Sequence, residues 1–500
     1  MTGDAPPIPW RGKQIIPAQS AWRARNKAGH RDRMMMIRGL SRRPGGSRMD
    51  AQLLAKIITA LSERGLGIIL SLATRALEAV SKFGLYALAA RLLGGDASGR
   101  FFLCLSIVHF TATFARMGLE KPLTRHVAAE LAVGQSVAAR RKAIMGTAAI
   151  LGASLLVALL LSLAAGPIAH LLFRHPELER ALRLAALIVP LNNLAFACAY
   201  LLIGLDRGAM AQLVMNALVP VLSLGALMLG ADDLDRLLLA YGGAFALSCL
   251  LGIALIAREW RRMTDGEPAP DMAPEPLPSL WASARPLFIV ELGQAGLLSL
   301  PILVLGRFAA PLEVSEFSIA NRLSMLVSTV VLSIGAIVAP AYARHYRRGE
   351  FARLRKVDRQ IRSISMAVCL PMIAAMLLGA YPLLQLLGSA SDMSVRVLWI
   401  LAFGQLLFCL LPCQDVLLAM TGHGDVLRRL MLVQLAVCIS LCLALIPAFG
   451  ALGGAVASMA AWAITAIGSA LAVRRLLPEM RRRQEAAGEA VTAASFPSAL

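Results

Sequence analysis

Charge is what this chain is short of. Asp, Glu, Lys and Arg make up only 16% of its 500 residues, where a soluble protein carries roughly a quarter. That deficit excludes an ordinary water-soluble fold. Acids are scarcer than bases, 30 against 50, which leaves a net charge of +20. Catalytic signatures are missing too. No G-x-x-x-x-G-K-[ST] occurs, since Gly12-Lys13 is followed by Gln14; phosphate cradling by a P-loop is excluded. There is no HExxH, no nucleophile elbow and no CxxC. The eight cysteines all fall in apolar stretches and read as small packing residues. No metal site, no cofactor and no enzyme is expected.

Long apolar runs are abundant. Hydrophobic residues reach 58%, and twelve stretches stand out: 66–90, 98–119, 143–165, 181–203, 209–230, 237–257, 286–308, 314–340, 363–387, 394–419, 427–449 and 451–473. Each can cross a hydrocarbon core of ~30 Å, which takes ~20 helical residues. If the connections alternate between two sides, 37 of the 50 Lys and Arg fall on one side and eight on the other. The remaining five, Arg75, Lys82, Arg116, Arg285 and Arg322, sit inside the spans or at their ends. Asymmetry of this kind marks the cytoplasmic face. The expectation is an all-α polytopic protein of the bacterial inner membrane, multi-pass, with both termini in the cytoplasm. The positive loops then answer to anionic membrane lipids, and nucleic acid is not an expected partner.

Residues 1–64 are Arg-rich and lack apolar periodicity, which predicts a disordered cytoplasmic segment. Two readings stay open for it: an interaction tail, or a chain whose working part starts at Met49. Residues 264–280 hold five prolines and no aromatic residue, the pattern of an extended linker. The expected organisation is therefore a basic segment 1–64, an N-lobe 65–258 of six spans, a Pro-rich cytoplasmic linker 259–283, a C-lobe 284–476 of six spans, and a cytoplasmic tail 477–500. A shift of 216 residues lays Phe101 on Phe317, Gly208 on Gly424 and one basic loop on the other. Six spans per half make the repeats parallel about an axis along the membrane normal.

Arg91-Leu-Leu-Gly-Gly-Asp-Ala-Ser-Gly-Arg-Phe resembles the R-x-L-G-x-x-x-x-G-x-[FY] signature of polysaccharide (O-antigen) flippases. Ala115-Arg-Met-Gly-Leu-Glu-Lys-Pro-Leu-Thr-Arg is similar to their turn into a basic loop. Ala419-Met-Thr-Gly-His-Gly-Asp, followed by Ile446-Pro-Ala-Phe-Gly-Ala-Leu-Gly-Gly, is similar to their spans ten to twelve. The resemblance covers about 60–475. It implies the superfamily shared with multidrug and toxin extrusion transporters and the lipid II flippase, and a MATE-like fold of two six-helix lobes. Many flippases have fourteen spans; twelve here argues against the lipid II subfamily. The implied function is moving a polyprenyl-diphosphate-linked oligosaccharide from the cytoplasmic to the periplasmic leaflet for surface polysaccharide. A polysaccharide polymerase and glycosyltransferases are the implied partners.

Ionisable groups in a bilayer cost at least ~2.5–3.5 kcal/mol each on insertion scales, so they are functional candidates. Arg75, Glu78 and Lys82 share one helix face at i, i+3 and i+7. They predict a charged stripe in a cavity or a self-neutralised cluster. Arg322 overlies Ser106 in the repeat, so it is no repeated structural feature. Arg75, Lys82, Arg322 and Arg116 are the candidate substrate-binding cations, matched to a diphosphate by charge-assisted bonds. Glu78, Glu291 and Asp415 are candidates for ion coupling or gating, with Glu291 expected opposite Arg75. Asn192 and Asn193 fit a cavity wall or interhelical bonding, and His109 fits a hydrogen-bonded packing role better than a proton relay. Two other classes remain: a cation-coupled drug exporter, which predicts acids dominating the cavity, and a non-transporting component or enzyme of a polysaccharide assembly complex.

Overall fold

The computed structural model describes residues 49–262 and 279–495. Residues 1–48 of the basic segment 1–64, linker residues 263–278 and residues 496–500 lie outside the described residues, whereas 49–64, expected to be disordered, are helical. The chain forms two compact units, 1–69 and 70–500. The first is described only as helix from Met49, and everything below concerns the second.

Every regular element among the described residues is helical, and ten helices are long and apolar enough to cross a membrane. Two of the ten are doubles. Leu77–Arg116 breaks at Gly94 (φ 79°, ψ 170°). Tyr86 and Phe102, sixteen positions apart, stack with ring centroids 4.6 Å apart, whereas a straight helix would separate them by about 24 Å. The run from Gly424 breaks in the same way at Gly450 (φ 54°, ψ −130°). There a Cβ on Gly453 would lie 2.5 Å from the Leu445 carbonyl oxygen. Both doubles are hairpins turned on one glycine, so the spans among the described residues number twelve.

We label them α1 (to residue 93), α2 (95–116), α3 (Ser136–Leu163), α4 (Leu178–Gly204), α5 (Gly208–Met228), α6 (Leu234–Arg262), α7 (Leu280–Phe308), α8 (Pro311–Arg347), α9 (Phe351–Leu378), α10 (Asp392–Leu410), α11 (424–449) and α12 (from 451). In the first half α3, α5 and α6 pack on α4; in the second α8, α9 and the α11–α12 hairpin pack on α10. The 216-residue shift superposes the two patterns. It lays the Gly94 break on the α7–α8 junction and the start of α5 on the start of α11. It also lays the short helical segment at Ala165–Phe173 on the short helix Ala380–Leu386. Phe101 and Phe317 are both fully buried at equivalent places.

The structure departs from the expected spans in three places. The basic loop 120–142 contains a helix, Glu120–Ala132. The tenth span is interrupted: α10 ends at Leu410, and a short helix Gln414–Met420 begins after Cys413 in left-handed backbone (φ 56°). Pro412 lacks the N–H that would continue the ladder. The ninth span stops at Leu378 rather than 387.

The halves meet at the end away from the basic loops. Ser98 and Ser315 hydroxyls lie 2.7 Å apart, and an Arg91 guanidinium N–H donates to the Gln385 carbonyl at 3.0 Å. Gly99 rests against the Pro311 carbonyl with no room for a Cβ. At the basic end α2 meets α7: a Cβ on Gly118 (φ 69°) would fall 2.5 Å from the Phe288 nitrogen, and Phe114 meets Phe288 edge-on at 5.7 Å.

Candidate functional site

Between the halves lies a cavity of about 310 Å³. On α2 it is lined by Phe102, Leu105, Ser106 and His109, and on α8 by Ser318, Asn321, Arg322 and Met325. Each set runs i, i+3, i+4, i+7, one face of a helix. The two sets correspond one to one under the repeat. They begin seven residues in from Gly94+1 and from Pro311, so the lining sits about 10–20 Å into a ~30 Å core. The chemistry is not symmetric. Arg322 takes the place that Ser106 holds in the other half. Lys82 and Tyr86 on α1 oppose Leu298 and Ile302 on α7. Helices α4, α5 and α6 add Asn192, Asn216 and Tyr241, while α10–α12 add nothing among the described residues.

Two cations face this space. The Arg322 guanidinium donates to the Tyr86 hydroxyl at 2.8 Å and lies 4.8 Å from the Tyr86 ring centroid. Tyr86 in turn is stacked on Phe102. Arg322 makes no ion pair among the described residues and is exposed to the cavity. Lys82 pairs with Glu78 at 2.6 Å. The second Glu78 oxygen accepts from the Gln212 amide at 2.5 Å, so Glu78 holds Lys82 in place from one helical turn away. Gln212 immediately precedes a wide turn of π-helix, Leu213–Ala217, which carries Asn216 into the lining. Such turns recur at functional sites. Among the described residues, no carboxylate lines the cavity.

The other sequence candidates fall elsewhere. The Arg75 side chain lies outside the described residues. Arg116 is not in the lining. It is buried at 5% exposure in a closed network, bonded to Glu120 at 2.5 Å, the Asn193 oxygen at 2.9 Å and Thr113 at 2.8 Å. Its guanidinium also covers the Phe196 ring at 4.7 Å. Asn193 completes the knot by donating to the Ala112 carbonyl and to Ser154 on α3. Glu120 is the reason for the difference: an acid four residues away neutralises Arg116, as none does Arg322. Of the adjacent asparagines, Asn193 is thus interhelical bonding and Asn192 is cavity wall. Glu291 on α7 pairs with Lys121 at 2.6 Å, bridging the halves at the basic end. Asp415 sits in the first turn of the short helix after Cys413 and makes no ion pair among the described residues. Its neighbour Gln414 donates to Asp358 at 2.7 Å. His109, expected to be a bonded packing residue, instead faces the cavity, and its imidazole has no hydrogen-bond partner among the described residues. No cluster of metal ligands occurs among the described residues.

In sequence, residues 66–345 match the family model described as polysaccharide biosynthesis protein, and residues 286–446 match the MatE model. No curated protein matches the chain. Among solved structures it is similar to an inward-facing multidrug resistance transporter of the MATE family and MOP superfamily. There the TM-score is 0.61 at 17% identity, covering 83% of this chain and 99% of that one. It is also similar to the lipid II flippase MurJ in an inward closed conformation, with TM-score 0.59 at 11% identity over 86% and 94%. A third is a MOP superfamily transporter from Pyrococcus furiosus, described as having a binding pocket of reverse polarity. It gives TM-score 0.54 at 16% identity over 83% and 95%. At these identities the likeness is one of fold.

Proposed function

The chain belongs to the polysaccharide biosynthesis protein family, and from that premise we propose that it is a flippase moving a polyprenyl-diphosphate-linked oligosaccharide from the cytoplasmic to the periplasmic leaflet. The observation that carries the reading is Arg322: a guanidinium near mid-membrane, open to the cavity, with a phenol and no acid beside it. An unpaired charge there is costly, and an anionic ligand offsets the cost. Lys82 lines the same cavity from the other half, with Glu78 as a counter-ion that can be exchanged. Two cations suit a disubstituted diphosphate. The sugars stay in the cavity while the polyprenyl chain remains in lipid.

The basic end faces the cytoplasm in this reading, in keeping with the positive-inside rule. The protein then resides in the bacterial inner membrane with both termini inside, and glycosyltransferases and a polymerase are its working neighbours. An ion gradient or the membrane potential drives the cycle, with Glu78, Glu291 and Asp415 as candidate ion-responsive acids. A drug exporter for cations would want acids in the wall, and the lining has none.

The test is complementation of a deletion strain by wild type, Lys82→Ala or Arg322→Ala at equal expression. Expected is build-up of lipid-linked oligosaccharide on the cytoplasmic leaflet, relieved by wild type and not by either variant. No build-up, with altered tolerance of cationic drugs instead, overturns the reading.

A further inference from the structure

The same cavity also carries uncharged polar side chains. Asn192 on α4, Asn216 on α5 and Asn321 on α8 all line it. None of their side-chain amides makes a hydrogen bond among the described residues. Ser318 lies beside the same space; it is 1% exposed, and its hydroxyl oxygen is buried without a partner among the described residues. Buried polar groups are normally satisfied. An amide offers two donors and two acceptor lone pairs, so three unspent amides form a dense neutral hydrogen-bonding wall. The π-turn at Leu213–Ala217 strengthens the point, because it spends helix regularity at Asn216.

Charge divides the lining. Among the described residues, Lys82 and Arg322 are the only Lys or Arg in it, and Glu78 already partners Lys82. A diphosphate bearing a lipid on one side and a sugar on the other carries two negative charges and answers both cations. Among the described residues, the other nitrogen base in the lining is the imidazole of His109.

Resting on the flippase reading, we propose that Asn192, Asn216 and Asn321 form a subsite for the sugar next to the diphosphate, and that it selects an uncharged sugar over an acidic one. Sugar hydroxyls both donate and accept, which matches the amides. A uronic acid would bring a third negative charge against a wall with no cation to meet it, at a depth where an unpaired charge is expensive.

The test uses purified protein and three farnesyl diphosphates: one linked to glucose, one to glucuronic acid, one capped by a methyl group. The two sugars differ only at C6, and all three keep the same diphosphate charge. Wild type is expected to bind the glucosyl compound about tenfold or more tighter than either other ligand, the worth of one or two retained hydrogen bonds. Asn216→Ala and Asn321→Ala should each shrink that gap severalfold and leave the methyl-capped compound unchanged. Arg322→Ala should weaken all three. Equal binding of the glucosyl and glucuronosyl compounds, or asparagine variants that weaken all three ligands alike, overturns the sugar subsite alone. Failure of wild type to bind any of them overturns the diphosphate reading and the subsite with it.

Discussion

Arg116 and Arg322 are both arginines inside apolar helices, and one neighbour separates their fates. Glu120 reaches Arg116 from the next turn, and Asn193 and Thr113 each accept from a further N–H of the guanidinium. Arg116→Met should therefore leave Glu120 buried and uncompensated, lowering stability by roughly 3–5 kcal/mol. The double variant Arg116→Met, Glu120→Gln should recover most of that loss; thermal unfolding in detergent reads both. Arg322→Ala should do the opposite, leaving the melting temperature near wild type. It should weaken a diphosphate ligand about ten- to a hundredfold, the range of a hydrogen bond to a charged group. Titration of a methyl-capped prenyl diphosphate checks it. The sequence made Arg322 legible, because the repeat lays it on Ser106 and so marks it as exceptional. Arg116 was misjudged because Glu120 reads as the first residue of a loop. The true helix continues to Arg116, turns through Met117 and Gly118 with positive φ, and restarts at Glu120. His109 was misjudged for a related reason. Periodicity gives a helix face but not what that face meets, and the cavity appears only once α2 and α8 are set opposite each other.

At the scale of elements, apolar length and charge alternation made twelve spans legible, but not how they are joined. α1 and α2, like α11 and α12, are linked by one glycine each. Gly450 adopts backbone open only to glycine, and a Cβ there would strike the Glu313 carboxylate. That carboxylate accepts the Ala451 N–H at 3.1 Å, capping the restarted helix. Gly450→Ala should cost about 1–3 kcal/mol from backbone strain, seen as a lower unfolding temperature, and Glu313→Gln less. The α8–α9 connection makes a pH prediction. The hydrogen bond from His345, and after it the charge of Arg353, holds the Glu350 carboxyl below its ordinary range. A depressed acid stabilises the fold above its unfolded pKa and loses that contribution as pH falls through the folded value. Amide exchange in this connection should therefore accelerate below about pH 4, the ordinary glutamate range. In Glu350→Gln that acid-dependent step should vanish. The break in the tenth span was half legible: Pro412 announces a lost hydrogen bond, but the left-handed Cys413 that re-aims the chain follows from tertiary packing.

For the whole molecule, the repeat supplies the geometry and the departures from it supply the chemistry. Equivalent faces of α2 and α8 meet across the cavity, yet only one carries a cation, and only the first half lends its fourth to sixth helices to the wall. A symmetric scaffold with an asymmetric lining can present one ligand site to either side as the halves rock, which is the economy of parallel-repeat transporters. The contacts at the end away from the basic loops are then the ones that must open. Ser98 meets Ser315 there, and Gly99 lies on the Pro311 carbonyl. Two variants, one of them a double substitution, should drive this end in opposite directions. Gly99→Val puts a branched side chain where not even a Cβ fits, so it should hold the halves apart. A thiol-reactive probe at position 98 should label that variant faster than the Ser98→Cys parent. Ser98→Cys with Ser315→Cys sets two thiols where hydroxyls stand 2.7 Å apart, and oxidation should join the halves. If the cavity serves both leaflets by rocking, the oxidised pair should stop flipping in proteoliposomes and regain it on reduction. Ligand binding from the basic side should survive in both states. Flipping that continues with the pair fully oxidised would mean that this end need not open, and that the substrate leaves by another path.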